Sequence, residues 1–317
     1  MSRILVTPRS LTGAPSAALS PLENAGYRLV FGPANRQPNE MELLGLVPGC
    51  AGWLAGVERI SDRVLDAADA LRVISRNGTG IDAIDLNAAE RNGIAVMTAA
   101  GANAPAVAEL AVAMMLCALR HIPASNAALK RGGWERHEGG ELSGATVGIV
   151  GCGAIGRRVA VVGAAFGARV LGYDTEPDPA FAPTGFAWTN LDALVGSADI
   201  VTLHCPALPG EAPLLDETRI AAMRPGAGIV NTARASLVDE AALLDALNDN
   251  RIGWYATDVF DVEPPGLTAL VGHPNVIITP HIGAYTRDSG GRATRAAVDN
   301  LLAALGANPA SAGAAAP

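Results

Sequence analysis

At 317 residues the chain exceeds what one typical hydrophobic core supports, and half of it is hydrophobic, so two domains with separate cores are expected. A formal net charge of −8 without any Lys/Arg cluster argues against nucleic acid and acidic membrane surfaces as partners; a small anionic ligand would need individually placed arginines. No apolar run approaches the ~18 residues of a membrane span, and Met1-Ser2-Arg3 leads directly into Ile4-Leu5-Val6 without a signal-peptide core, so a soluble, cytoplasmic protein is expected.

The first hundred residues alternate short β-like runs with helical or loop stretches. Strands are predicted at Ile4 to Thr7, Tyr27 to Phe31, Gly52 to Ala55, Leu71 to Ser75 and Ile94 to Val96, with helices near Ser16 to Ala25 and Arg63 to Ala68. That rhythm implies parallel crossovers and an α/β domain. A long helix follows from Ala104 to Leu119, apolar around most of its circumference, which suits burial between domains or against a second subunit and makes a homodimer the expected assembly. Trp134 then reads as a packing anchor rather than a substrate contact. The four cysteines, Cys50, Cys117, Cys152 and Cys205, lack metal-ligand spacing and are expected to be free, mostly buried thiols; no metal site is predicted.

The most informative segment is Gly151-Cys152-Gly153-Ala154-Ile155-Gly156, set between the apolar run Thr146 to Val150 and a helical stretch from Arg157 to Phe166. Gly151 allows a sharp turn, Gly153 lets the backbone approach a pyrophosphate, and Gly156 lets the helix pack on the strand. The helix amino end then favours phosphate charge. Asp174 closes the next apolar run, Arg169 to Tyr173, where its carboxylate can accept from ribose hydroxyls and repel a 2′-phosphate, so NAD is favoured over NADP.

Further strands are predicted at Ile200 to Leu203, Gly228 to Asn231, Gly253 to Thr257 and Val276 to Ile278. Helices are expected near Leu191 to Val195, Glu217 to Met223 and Glu240 to Leu247, the last two capped by Asp216 and Asp239. This makes a doubly wound sheet of roughly six parallel strands. A final helix from near Thr286 to about Leu305 is free to cross back onto the first domain, and the alanine-rich tail from Gly306 to Pro317 reads as disordered.

Ligands of open α/β sheets gather at the carboxyl ends of strands. Arg234, just beyond one such end, suits a carboxylate held by two parallel hydrogen bonds, although alone it could equally form a surface ion pair. Glu263 precedes Pro264-Pro265, and His281 follows another apolar strand. A histidine beside a carboxylate can hold a proton near neutral pH and deliver it to a ketone oxygen as hydride arrives.

These segments resemble the D-isomer-specific 2-hydroxyacid dehydrogenases from about Leu71 to Thr286. The matching pieces are Arg76-Asn77-Gly78-Thr79-Gly80-Ile81-Asp82, the glycine turn with Asp174, Leu203-His204-Cys205-Pro206, Asn231-Thr232-Ala233-Arg234, Val238-Asp239-Glu240, Asp258 to Pro264, and Thr279-Pro280-His281-Ile282-Gly283. The resemblance implies two Rossmann-like or flavodoxin-like lobes with a cleft between them. Residues 1–99 with 285–317 would form a discontinuous substrate domain and residues 100–284 the NAD-binding domain, hinged near Ala99 to Ala102 and Gly283 to Tyr285. It further implies that Arg234 binds the substrate carboxylate, His281 is the acid/base and Glu263 tunes it. Asn77, Gly78 and Thr79 would also meet the substrate, the Gly78-Thr79-Gly80 loop through its backbone N–H groups. Asp258 would bind the nicotinamide carboxamide, and Thr79, Ala154, Ile155, His204, Cys205, Pro206, Thr232, Ala233, Gly283 and Ala284 would line the cofactor.

Within the family, Gly133-Trp134-Glu135-Arg136 and Gly140-Glu141-Leu142-Ser143-Gly144 are most similar to phosphoglycerate dehydrogenase-like members. Such members often carry an Arg-Ser pair for the substrate phosphate where this chain reads Ala55-Gly56, with Glu58 and Arg59 slightly later; unless Arg59 or Arg76 substitutes, that argues against phosphoglycerate itself. The expected activity is NAD-dependent hydride transfer at C2 of a small 2-hydroxy or 2-keto acid such as phosphoglycerate, glycerate, hydroxypyruvate or glyoxylate. Alternatives are the same chemistry on a phosphonate, sulfonate or aldehyde hydrate, and an NAD(H)-sensing, corepressor-like interaction protein.

Overall fold

Short runs rich in Val, Ile and Leu, separated by capped helices, produce two parallel sheets in the computed structural model, which describes residues 1–207 and 210–306. Two compact units contain them: Met1–Asn103 with the chain from Arg287 onward, and Ala104–Thr286. The class is α/β, with doubly wound sheets in both units.

In the first unit the strands are β1 (Arg3–Val6), β2 (Arg28–Phe31), β3 (Cys50–Ala55), β4 (Val73–Arg76) and β5 (Ala95–Thr98). Their order, β2-β1-β3-β4-β5, is flavodoxin-like, and every ladder is parallel. The Arg287–Leu305 helix completes this core: Ala297, Val298, Leu301 and Leu305 pack against Ile4, Val6, Leu54 and Val73. Gly52 makes room for it, since a Cβ there would lie 2.8 Å from Leu305 Cδ1.

The second unit adds β6 (Thr146–Val150), β7 (Arg169–Tyr173), β8 (Phe186–Trp188), β9 (Ile200–Leu203), β10 (Ala227–Asn231), β11 (Ile252–Thr257) and β12 (Val276–Ile278). Their order is β12-β11-β10-β9-β6-β7-β8, with the chain running outward from β6 in both directions, the Rossmann pattern. β6, β9 and β10 are buried along their whole length, as expected of parallel strands covered on both faces. Asp216 and Asp239 cap their helices as expected, accepting from the backbone N–H of Arg219 and Ala242.

Several expectations need correction. The second sheet has seven strands rather than six, because Phe186–Trp188 is too short to show a periodicity. One face of the Ala104–Leu119 helix is buried within its own unit, where Ala108, Ala111, Val112, Met114 and Met115 pack with Val147, Ile149, Val159 and Val230, while Leu110, Leu116 and Leu119 are only half-buried. Trp134 does not pack into either core. It is 82% exposed, in an irregular stretch flanked by glycines. Ser16 to Ala25 forms a short 3-10 turn, Ala17–Leu19, and a brief helix, Ser20–Asn24. All four cysteines are free, but only Cys50 and Cys152 are buried; Cys117 and Cys205 are half-buried. The tail expectation falls on residues 307–317, outside the described residues. No single helix among the described residues is long and apolar enough to cross a membrane.

Candidate active site

Register aligns the ends of the second sheet. Across it, Tyr173 lies opposite Val150, Val150 opposite Leu203, Leu203 opposite Asn231, Asn231 opposite Thr257, and Thr257 opposite Ile278. Asp174, Gly151, His204 and Asp258 each follow this row by one residue, Arg234 and His281 by three. One carboxyl edge therefore carries the candidate chemistry of this unit, and the order reverses at β6, where such sheets bind ligands.

The glycine turn is built for close backbone approach. Gly151 has φ +90°, and a Cβ there would lie 2.6 Å from the Cys205 nitrogen. A Cβ on Gly156 would lie 2.0 Å from the Gly151 carbonyl oxygen, whereas one on Gly153 would meet nothing within 4 Å. The two outer glycines thus permit the fold, and Gly153, beside Ala154 and Ile155, leaves open backbone at the start of the Gly156–Ala165 helix, the surface a dinucleotide pyrophosphate requires. Asp174 is held beside the turn: its Oδ2 accepts from Cys152 N at 2.8 Å and its Oδ1 from Glu176 N at 3.2 Å. The residues fit an NAD adenosine and pyrophosphate.

Around them the environment is apolar. Burial, and secondarily the nearby Asp174 charge, pushes the Cys152 thiol up to about 12; burial also raises Cys205, which precedes Pro206. Burial pushes the His204 imidazole down to about 3, so it is neutral; Nε2 lies 2.9 Å from Thr202 Oγ1, while Nδ1 is buried without a hydrogen bond among the described residues.

Beyond β10, buried Asn231 shapes the turn that presents Arg234. Its Oδ1 accepts from Ala233 N at 3.0 Å and its Nδ2 donates to the Arg234 carbonyl at 2.8 Å. The Thr232 hydroxyl is buried there. Arg234 Nη1 donates to the Ala233 carbonyl at 2.7 Å. Past β12, His281 Nδ1 lies 2.8 Å from both Glu263 carboxylate oxygens, and both side chains are about half exposed. This pairing fixes the ring and leaves Nε2 to act on a ligand.

The geometry also assigns Asp258 a role that the sequence did not reveal. It is 1% exposed; Oδ1 accepts from Thr279 Oγ1 at 2.6 Å and Ile282 N at 2.8 Å, and Oδ2 accepts from Gly283 N at 2.7 Å. These bonds bracket His281, whose φ of +52° is left-handed and unfavourable for a residue with a Cβ. Gly283 and Ala284 follow directly, and a Cβ on Gly283 would lie 2.9 Å from Asp258 Oδ2. The sequence reading also missed Arg157, immediately after the last glycine. Its Nε donates to the Cys152 carbonyl at 2.8 Å and its Nη1 to Asp178 Oδ2 at 2.9 Å.

Asn77, Gly78 and Thr79 belong to the first unit, at the carboxyl end of β4. Asn77 Oδ1 accepts from Thr294, and Thr79 Oγ1 from Asn103 Nδ2 at 3.2 Å. At the same edge Glu58 is 2% exposed. Its Oε1 accepts from Thr7 and from Gly56 N, and its Oε2 has no hydrogen bond among the described residues. Burial lowers Arg76, offset by the nearby charges of Glu58 and Asp82.

Comparison with known proteins gives these features a context. The family model for the D-isomer specific 2-hydroxyacid dehydrogenase NAD binding domain matches residues 112–283, just over half of the chain. D-3-phosphoglycerate dehydrogenase of Rattus norvegicus is 38% identical over 275 residues, covering 86% of this chain and 51% of the relative, so the chain spans about half the length of that protein. A glyoxylate reductase from Paecilomyes thermophila matches with TM-score 0.85 and 26% identity, covering 96% of this chain and 95% of the other. The NAD+-bound 3-phosphoglycerate dehydrogenase of Entamoeba histolytica matches with TM-score 0.79 and 25% identity, covering 97% and 96%.

Proposed function

The chain belongs to the D-isomer specific 2-hydroxyacid dehydrogenase family, and from that premise we propose that it moves hydride between a nicotinamide and C2 of a small 2-hydroxy or 2-keto acid. NAD, when bound, supplies or accepts the hydride. His281 gives its Nε2 proton to the ketone oxygen in the reductive direction, and Glu263 at Nδ1 holds the ring and stabilises the imidazolium. Arg234 grips the substrate carboxylate and polarises the adjacent carbonyl. Asp258 keeps acceptor capacity on Oδ2 for the carboxamide while holding the His281 loop. The observation that carries the reading is the His281–Glu263 pair on the strand edge that also bears the glycine turn and Arg234.

For the acid itself we favour small unphosphorylated compounds, glyoxylate or hydroxypyruvate in type. The buried carboxylate of Glu58 at the carboxyl edge of the first sheet suits a phosphate poorly, and Arg76 already lies in the field of the Glu58 and Asp82 charges. The reading takes residues 1–99 with 285–317 as the substrate domain and 100–284 as the NAD-binding domain. Exposed Ile122, Leu129 and Trp134 support a homodimer, which light scattering would test.

A panel of 2-keto acids followed by NADH absorbance tests the activity, with His281→Asn beside the native protein. Turnover of at least one acid should fall by roughly a thousandfold in the variant, while NADH affinity stays within about twofold. Undiminished turnover would remove His281 from the chemistry, and no turnover of any acid would contradict the reading.

A further inference from the structure

The segment after Asp174 is tied back to the glycine turn by one side chain. Arg157 sits in the first turn of the Gly156–Ala165 helix, with its guanidinium in three contacts at once. Nε donates to the Cys152 carbonyl at 2.8 Å, Nη1 donates to Asp178 Oδ2 at 2.9 Å, and the guanidinium carbon lies 5.0 Å from the Phe181 ring centre. Asp178 is itself fixed, its Oδ1 accepting from Ala180 N at 3.0 Å. Phe181 meets Phe186 edge-on at 5.1 Å, and Phe186 meets Trp188 in the same manner at 5.0 Å, anchoring the clasp to β8.

This arrangement bears on which dinucleotide the protein accepts. Cys152 is the hinge of the geometry, because its N–H is held by Asp174 and its carbonyl by Arg157. An arginine close to the acid after the second strand is the group that would receive a 2′-phosphate, since guanidinium binds phosphate in a bidentate manner. We propose that Asp178, with Phe181, is a specificity-determining residue: it holds Arg157 away from the ribose 2′ position, so that its guanidinium offers nothing to the 2′-phosphate of NADP. Discrimination then has two parts. Asp174 repels the phosphate, and Asp178 withholds its natural partner. The backbone bond from Ala180 and then the Arg157 side chain keep the Asp178 carboxyl below its usual range, consistent with an ionised clasp at neutral pH.

The test measures binding and so does not depend on which acid is reduced. Dissociation constants for NADH and NADPH, by calorimetry, are compared in the native protein, Asp178→Ala, and Asp178→Ala combined with Arg157→Ala. The single variant should improve NADPH affinity relative to NADH by about tenfold, the scale of one new charge-assisted contact. The double variant should return the ratio to the native value, because the gain needs the released guanidinium. The proposal is overturned if Asp178→Ala leaves the ratio unchanged, or if the gain survives loss of Arg157. Far-ultraviolet circular dichroism of each variant separates a changed preference from a damaged turn, and Asp178→Asn, which keeps the side-chain shape but weakens the ion pair, should give an intermediate ratio.

Discussion

His281 adopts a left-handed backbone, and the cost of that conformation is met by Asp258, whose carboxylate bonds residues on both sides of it. Asp258→Ala should therefore lower turnover, because the loop that carries His281 loses its anchor. Amide hydrogen exchange should quicken at Ile282 and Gly283 as their acceptor disappears; unchanged exchange would argue against this role. His204 offers a pH test. Its folded-state value, about 3, lies below the ~6.5 of an unfolded histidine, so between those limits the unfolded chain binds the extra proton. The stabilisation is fully present above about pH 6.5 and is lost as pH falls toward about 3, with a magnitude on the order of a few kcal/mol. Denaturant melts near pH 7.5 and near pH 5 should show a smaller pH penalty for His204→Gln than for the native chain; an equal penalty would contradict it. Residue types at strand ends were legible in the sequence for Arg234, Glu263 and His281. The Asp258 clamp was not, because its partners Thr279, Ile282 and Gly283 arrive from the neighbouring strand's loop.

Secondary-structure elements succeed or fail in sequence according to length and packing. β6, β9 and β10 are unbroken apolar runs and stand out, as do the helices begun by Asp216 and Asp239. β8 has three residues, and the Glu40–Leu46 helix is declared chiefly by its Asn39 and Glu42 capping box, so neither shows much periodicity. The Ala104–Leu119 helix was visible as apolar all round, but what covers it depends on chain topology, which periodicity does not encode. The glycine turn gives the sharpest test at this scale. Gly156→Ala places a methyl 2.0 Å from the Gly151 carbonyl oxygen, so the helix and strand must separate. Stability should fall by about 2 kcal/mol or more and dinucleotide affinity with it, whereas Gly153→Ala, with open space around it, should leave stability nearly unchanged and weaken only NADH binding. Equal melting temperatures for Gly156→Ala and the native chain would contradict this account.

Over the whole molecule, the two sheets divide the chain's polar equipment. The Rossmann sheet carries the dinucleotide turn and the His281–Glu263 pair, and the flavodoxin-like sheet carries Glu58, Arg76 and the Gly78 loop. Parallel α/β architecture was legible from the alternation of strands and helices, and the family from motifs in order along the chain. The acidic edge of the first sheet was visible only as a missing cation, because burial of Glu58 depends on Thr7 and Gly56 brought together by pairing of β1 with β3. The chemistry proposed for the whole molecule is direct hydride transfer to C2 with a proton from His281. Its most direct measurement uses NADH carrying deuterium at the transferable nicotinamide position, with an accepted 2-keto acid other than glyoxylate so that C2 of the product is a stereocentre, followed by proton NMR and chiral analysis of the product. Deuterium is expected at C2 of the D-2-hydroxy acid alone, at a rate that collapses in His281→Asn. Product lacking deuterium at C2, or formed as both enantiomers, would contradict it.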